Sequence, residues 1–96
     1  MLTNLTVDVF CKEIKTDVPA YRLYVNGYLL TERTWIWPSY EVFVREHIQV
    51  NIDPGKHRVT AQSANNGLTL ELKNLTINEK EHKYTAGMGQ ELAFET

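Results

Sequence analysis

Residues 21–37 read YRLYVNGYLLTERTWIW, two alternating apolar runs joined by Asn26-Gly27. Asn-Gly between such runs is the strongest short-range hairpin signal, because a type I′ turn needs φ > 0 at both central residues. A two-residue loop pairs Val25 with Tyr28, Tyr24 with Leu29, Leu23 with Leu30, Arg22 with Thr31 and Tyr21 with Glu32. That register separates two faces, since side chains alternate along a strand. Tyr21, Leu23, Val25, Tyr28, Leu30, Thr34 and Ile36 share one face with Glu32 as its only charge, and this is the expected core side. Arg22, Tyr24, Leu29, Thr31, Arg33, Trp35 and Trp37 share the other, too aromatic for a wet surface and too charged for a core. A second sheet, another subunit or a ligand is expected to cover it.

Outward from the hairpin the same alternation recurs. Leu2 to Ile14 sets Leu5, Val7, Val9 and Cys11 against Thr6, Asp8, Phe10 and Lys12, a first strand. After the break at Trp37-Pro38-Ser39-Tyr40 the chain is extended again over 41–52, with Val42, Val44, Ile48, Val50 and Ile52 in phase. Glu46 interrupts that set, so a bulge or change of sheet is expected near Arg45-Glu46. Asp53-Pro54-Gly55-Lys56 is a turn, and a four-residue loop there pairs Ile52 with His57, Val50 with Val59 and Ile48 with Ala61. Leu68, Leu70 and Leu72 alternate until Lys73-Asn74, where the parity shifts to Leu75 and Ile77 and a second bulge is expected. Asn78 to Glu81 reads as a turn, His82 to Ala86 as a short strand, and a last segment carries Leu92 and Phe94.

No 3.6-residue apolar period persists, so the chain is expected to be all-β: residues 1–96 form one antiparallel β-sandwich, immunoglobulin-like or jelly-roll, of about seven to nine short strands with little or no helix. At 96 residues there is room for one two-layer core. Cys11 is the only cysteine, so stability rests on packing, and its place with Leu5, Val7 and Val9 makes it a core thiol.

Chemistry is sparse. His47, His57 and His82 lie on separate segments without metal-ligand spacing, and no nucleophile elbow, phosphate loop or paired carboxylates appear. An enzyme is the least expected class, and no cofactor or metal is expected. The net charge of −2 with scattered signs gives no basic stripe for nucleic acid. The start MLTNLTVDVF lacks the pattern of a signal peptide, and no segment reaches the length of a membrane span, so synthesis in a cytoplasm is expected. The aromatic stretch carries the functional signal. Trp35 and Trp37 with Tyr24, Tyr40, Arg22 and Arg33 form either a cap on the core or a contact surface, since Trp, Tyr and Arg are favoured interface anchors.

The order YRLYVNGYLLTERTWIW, EVFVREHIQVNI and DPGKHRV, within residues 21–78, resembles small β-sandwich virion proteins of tailed phages, including those of cyanobacteria. That resemblance implies a non-enzymatic capsid decoration or cement subunit, present in many copies in the virion, that docks on shell or tail proteins through an aromatic sheet face. The run from RLYVNG through DPGKHRV to LELKNLTIN is also similar in layout to compact carbohydrate-binding sandwiches. The alternative it implies is a glycan-binding module that uses the same aromatics as a sugar platform.

Overall fold

The structure is a computed structural model that describes residues 2–17, 19–36, 42–87 and 90–96. Among the described residues nine strands follow in chain order: β1 (Leu2–Ile14), β2 (Ala20–Val25), β3 (Tyr28–Thr34), β4 (Phe43–Asn51), β5 (Lys56–Ser63), β6 (Leu68–Ile77), β7 (Lys80–Glu81), β8 (Thr85–Gly87) and β9 (Glu91–Glu95). They form two antiparallel sheets, β4-β1-β6-β7 and β3-β2-β5-β9-β8, packed face to face as a sandwich, with no helix among the described residues. With β1 beside β4 and β2 beside both β3 and β5, strands β1 to β5 interlock as B, C, C′, E and F do in immunoglobulin-like sandwiches. β6 then returns to the far side of β1.

Strict alternation makes β1 the centre of the first sheet. Its Leu5, Val7, Val9 and Cys11 are buried against Leu68, Leu70, Leu72 and Leu75 of β6 and against Val44 and Ile48 of β4. From the opposite sheet Tyr21, Leu23, Val25, Val59, Ala61, Leu92 and Phe94 meet them. The shift at Lys73-Asn74 is a bulge as the sequence predicts: Thr6 pairs with Thr76 but Asp8 with Lys73, and the extra residue Asn74 takes φ 59°. Asn is among the few non-glycine residues that tolerate this conformation. The expected turn at Asn78 to Glu81 is tighter than read, with Asn78 and Glu79 both at positive φ and β7 beginning at Lys80.

Three expectations are corrected. The hairpin closes as read, Val25 to Tyr28 and Tyr24 to Leu29, but the register then slips by one: Leu23 pairs with Thr31, Arg22 with Glu32 and Tyr21 with Arg33. Leu30 is the extra residue of a bulge, and every side chain beyond it changes face. Trp35 is therefore buried, at 2% exposure, whereas Tyr28, Leu30 and Ile36, read as core, are exposed.

Around Glu46 the sequence predicts a break and the structure has none. β4 runs in unbroken register with β1, and the Glu46 side chain lies in the interior. Finally, β4 and β5 are not a hairpin. They belong to opposite sheets, and Asp53 to Gly55 is a corner between them. The corner is tied to the C-terminus instead, through Gly55 N–H to Thr96 O at 3.0 Å and Thr96 N–H to Gly55 O at 2.9 Å, which prolongs the β5–β9 ladder.

Candidate functional site

The bulge at Leu30 divides the residues that the sequence groups on one face. Arg33 and Trp35 turn toward the interior. Arg33 Nε donates to Glu46 Oε1 at 2.6 Å, and the Tyr21 hydroxyl donates to the same oxygen at 3.2 Å. The Tyr21 ring lies 6.4 Å from Trp35, tilted by 58°. Burial, and next the Glu46 carboxylate, push the Tyr21 hydroxyl well above the ordinary phenol range, and the Glu46 hydrogen bond raises the Arg33 guanidinium further. These four side chains are a clasp between β3 and β4. Arg22 and Tyr24 remain on the exterior, Arg22 Nε 3.1 Å from Glu32 Oε2. Trp37 and Tyr40 lie outside the described residues. The expected six-residue surface is thus not assembled by the four members that are described.

An aromatic and cationic surface does form, on the exterior of the other sheet. Phe10 of β1 and Phe43 of β4 are direct cross-strand partners, with ring centroids 5.1 Å apart. The Arg45 guanidinium lies 5.7 Å from the Phe43 centroid and the Lys73 ammonium 5.3 Å from that of Phe10. Next along the same face, Asp8 is fully buried although it points outward. Arg45 Nε and Nη2 reach its two carboxylate oxygens at 2.8 and 3.2 Å, and Asn74 Nδ2 donates to Oδ2 at 2.9 Å. The αL bulge at Asn74 is what brings that amide over β1.

Alongside, Glu71 takes ion pairs from both Lys12 and Lys73, the latter at 2.8 Å, and these contacts hold its carboxyl below the usual range. Three strands are therefore stitched together beside the ring pair, which fixes the direction of Arg45 and Lys73. At the other end of the same face Asn4, Leu5, Thr6, His47, Ile48, Gln49 and Glu79 line a hollow of about 410 Å³.

The sequence signal for this face was modest: Phe10 sits at an outward position among Thr6, Asp8 and Lys12. Its partner Phe43 is 33 positions away (43 − 10), and only the β1–β4 pairing joins them.

A larger open groove, about 870 Å³, lies between the 81–85 segment and the ends of β5 and β9. Its two histidines are structural clasps. His57 Nε2 is 2.6 Å from Asp53 O and His82 Nε2 is 2.8 Å from Glu95 O, with both rings against Phe94. Among the described residues no three His, Cys, Asp or Glu side chains come together as a metal site, and no helix is long and apolar enough to cross a membrane. Cys11 is buried, its thiol 3.3 Å from Glu13 O and raised in pKa by desolvation. The chain matches no family model, no curated protein and no solved structure.

Proposed function

We propose that the protein is a non-enzymatic structural subunit of a phage virion, of the capsid decoration or cement type, which docks on neighbouring shell proteins through the exterior of the β4-β1-β6 sheet. The observation that carries the docking reading is the Phe10–Phe43 ring pair with Arg45 and Lys73 beside it, Arg45 being held by the fully buried Asp8 next along the face. Aromatic rings and arginine are the side chains that anchor interfaces, and anchors bind best when their geometry is fixed beforehand. Here the cations are oriented by Asp8 and Glu71 rather than free to sample solution. The sequence resemblance supplies the virion setting.

Mass spectrometry of purified virions from the source phage tests this: a fixed stoichiometric ratio to the major shell protein is expected, and absence from the particle refutes it. Phe43→Ala, at a half-exposed position, should leave the melting temperature within a few degrees while lowering particle occupancy at least several-fold. A glycan-binding module is the second reading, favoured by the amide, hydroxyl and imidazole groups at the hollow on the same face as the rings. Retention on immobilised polysaccharide that Phe43→Ala abolishes, in a protein missing from virions, would establish it in place of the first.

A further inference from the structure

We propose that two copies of the chain pair through β3, antiparallel about a twofold axis, joining their five-stranded sheets into one of ten strands. β3 is the edge of its sheet, and all seven of its residues are exposed or half-exposed, with Arg33 reaching across the sandwich to Glu46 of β4. Tyr28, Leu29 and Leu30 are 76%, 54% and 38% exposed. Edges of this kind are ordinarily blunted by charged side chains, lysine above all, by proline, by bulges or by a covering loop, and β3 has Glu32, Arg33 and one bulge. β3 contains neither lysine nor proline, and its one bulge lies at the hairpin end, leaving Thr31 to Thr34 regular.

The backbone of this edge is available. Trp35 N–H donates to Pro19 O on the β2 side at 2.8 Å, and amides alternate along an antiparallel strand, so the N–H and C=O groups of Thr34 and Glu32 face outward. Leu30, the extra residue of the bulge, has no cross-strand partner in β2.

Charge argues for a second copy as the occupant. The strand has one acid and one base, and both are satisfied within the chain, Glu32 by Arg22 and Arg33 by Glu46. An edge with no net charge to select a foreign strand is compatible with itself, and a twofold axis makes each contact twice. The register follows from the same charges. An axis through Glu32 would oppose two carboxylates, whereas an axis through Thr31 sets Thr31 against its mate and Leu30 against Glu32 of the partner copy. The bulge at Leu30 breaks the alternation of outward groups, so the ladder is shorter than the seven residues of β3, a narrow strip at the weak end of specific interfaces. The dimer should therefore be weak and form only in concentrated samples.

Sedimentation velocity of the full chain across ~1 to ~500 µM decides this. The expected result is a shift from the 11.1 kDa monomer to twice that mass, with amide exchange slowed at Glu32 and Thr34 in the concentrated sample. Leu30→Lys places a charge on the edge, and Glu32→Pro removes an outward amide without touching the β2 ladder. Either variant, folded by circular dichroism, should remain monomeric throughout. A wild-type chain that stays monomeric to the highest concentration overturns the proposal. So does a dimer that survives in both variants, or one whose protection falls on other strands. The result is independent of whether the protein occurs in virions.

Discussion

Replacing Arg33 by methionine keeps the aliphatic stem and deletes the guanidinium, which isolates the clasp between the hairpin and the opposite sheet. In the native protein the Glu46 side chain is 3% exposed and that of Arg33 is 45% exposed. After Arg33→Met the carboxylate keeps the Tyr21 hydroxyl, 3.2 Å away, but no longer faces a cation from Arg33. Breaking a fully buried ion pair from one side costs about 3–5 kcal/mol. Water reaches the Arg33 side of this pair, so the cost here should be smaller, about 2 kcal/mol. A domain of this size holds roughly 5–14 kcal/mol in total and loses ~4–8 °C of melting temperature per kcal/mol, so a fall of about 8–16 °C is expected.

Urea unfolding followed by tryptophan emission measures it, with the midpoint moving down by about 1 M. Arg33→Met combined with Glu46→Gln supplies the control. Glutamine still accepts from Tyr21 but carries no charge into the interior, so the double variant should recover at least half of the loss. A single variant that loses less than about 0.5 kcal/mol, or a double variant no more stable than the single, would refute the argument that the clasp balances a buried charge.

Trp35→Ala should act on folding rather than on any contact surface: a buried indole replaced by methyl costs about 3–5 kcal/mol, and calorimetry should show a partly or wholly unfolded variant. Glu71 has its pKa lowered by Lys12 and then Lys73, so its contribution to stability is full above the ordinary carboxylate range and is lost as pH falls through its depressed value. Glu71→Gln should consequently narrow the difference in urea midpoint between about pH 7 and about pH 3. Cys11, buried and raised in pKa by desolvation, should react with a disulfide reagent at least a hundredfold more slowly in the native protein than in urea, and equal rates would place the thiol at the surface.

How far the sequence carries is best judged at particular residues. Asn26-Gly27 announces its turn because few dipeptides accept two positive φ values in succession, and both are positive here, 52° and 84°. β1 is legible because alternation over thirteen residues leaves one side for the core. The single extra residue at Leu30 is not legible, since Leu29-Leu30 offers an apolar side chain to either face and composition does not register a slip of one. That slip moves Trp35 from a supposed surface to the core and breaks up the expected site.

Glu46 held more information than its reading as a break. An acid in phase with Val44 and Ile48 requires a cation from elsewhere, and Arg33 is the one that meets it. The corner at Asp53-Pro54-Gly55 escaped because such a turn suits a hairpin and an inter-sheet crossing equally. Only the demand of β1 for a partner on each side draws β4 away from β5.

The two open surfaces lie on different sheets, β3 at the edge of one and the Phe10–Phe43 face on the exterior of the other, so occupation of one leaves the other available. Each is modest by itself. The edge is a single strand wide, and the ring pair is flanked by cations already neutralised by Asp8 and Glu71. Their value would lie in combination: two copies joined at β3 present two Phe43 faces to a repeating lattice, and the second face then binds at the effective concentration set by the first. A lattice multiplies a weak contact in this way, whereas a soluble single partner does not. On the proposed reading, the same pair of surfaces would favour a repeating lattice over any one monomeric partner.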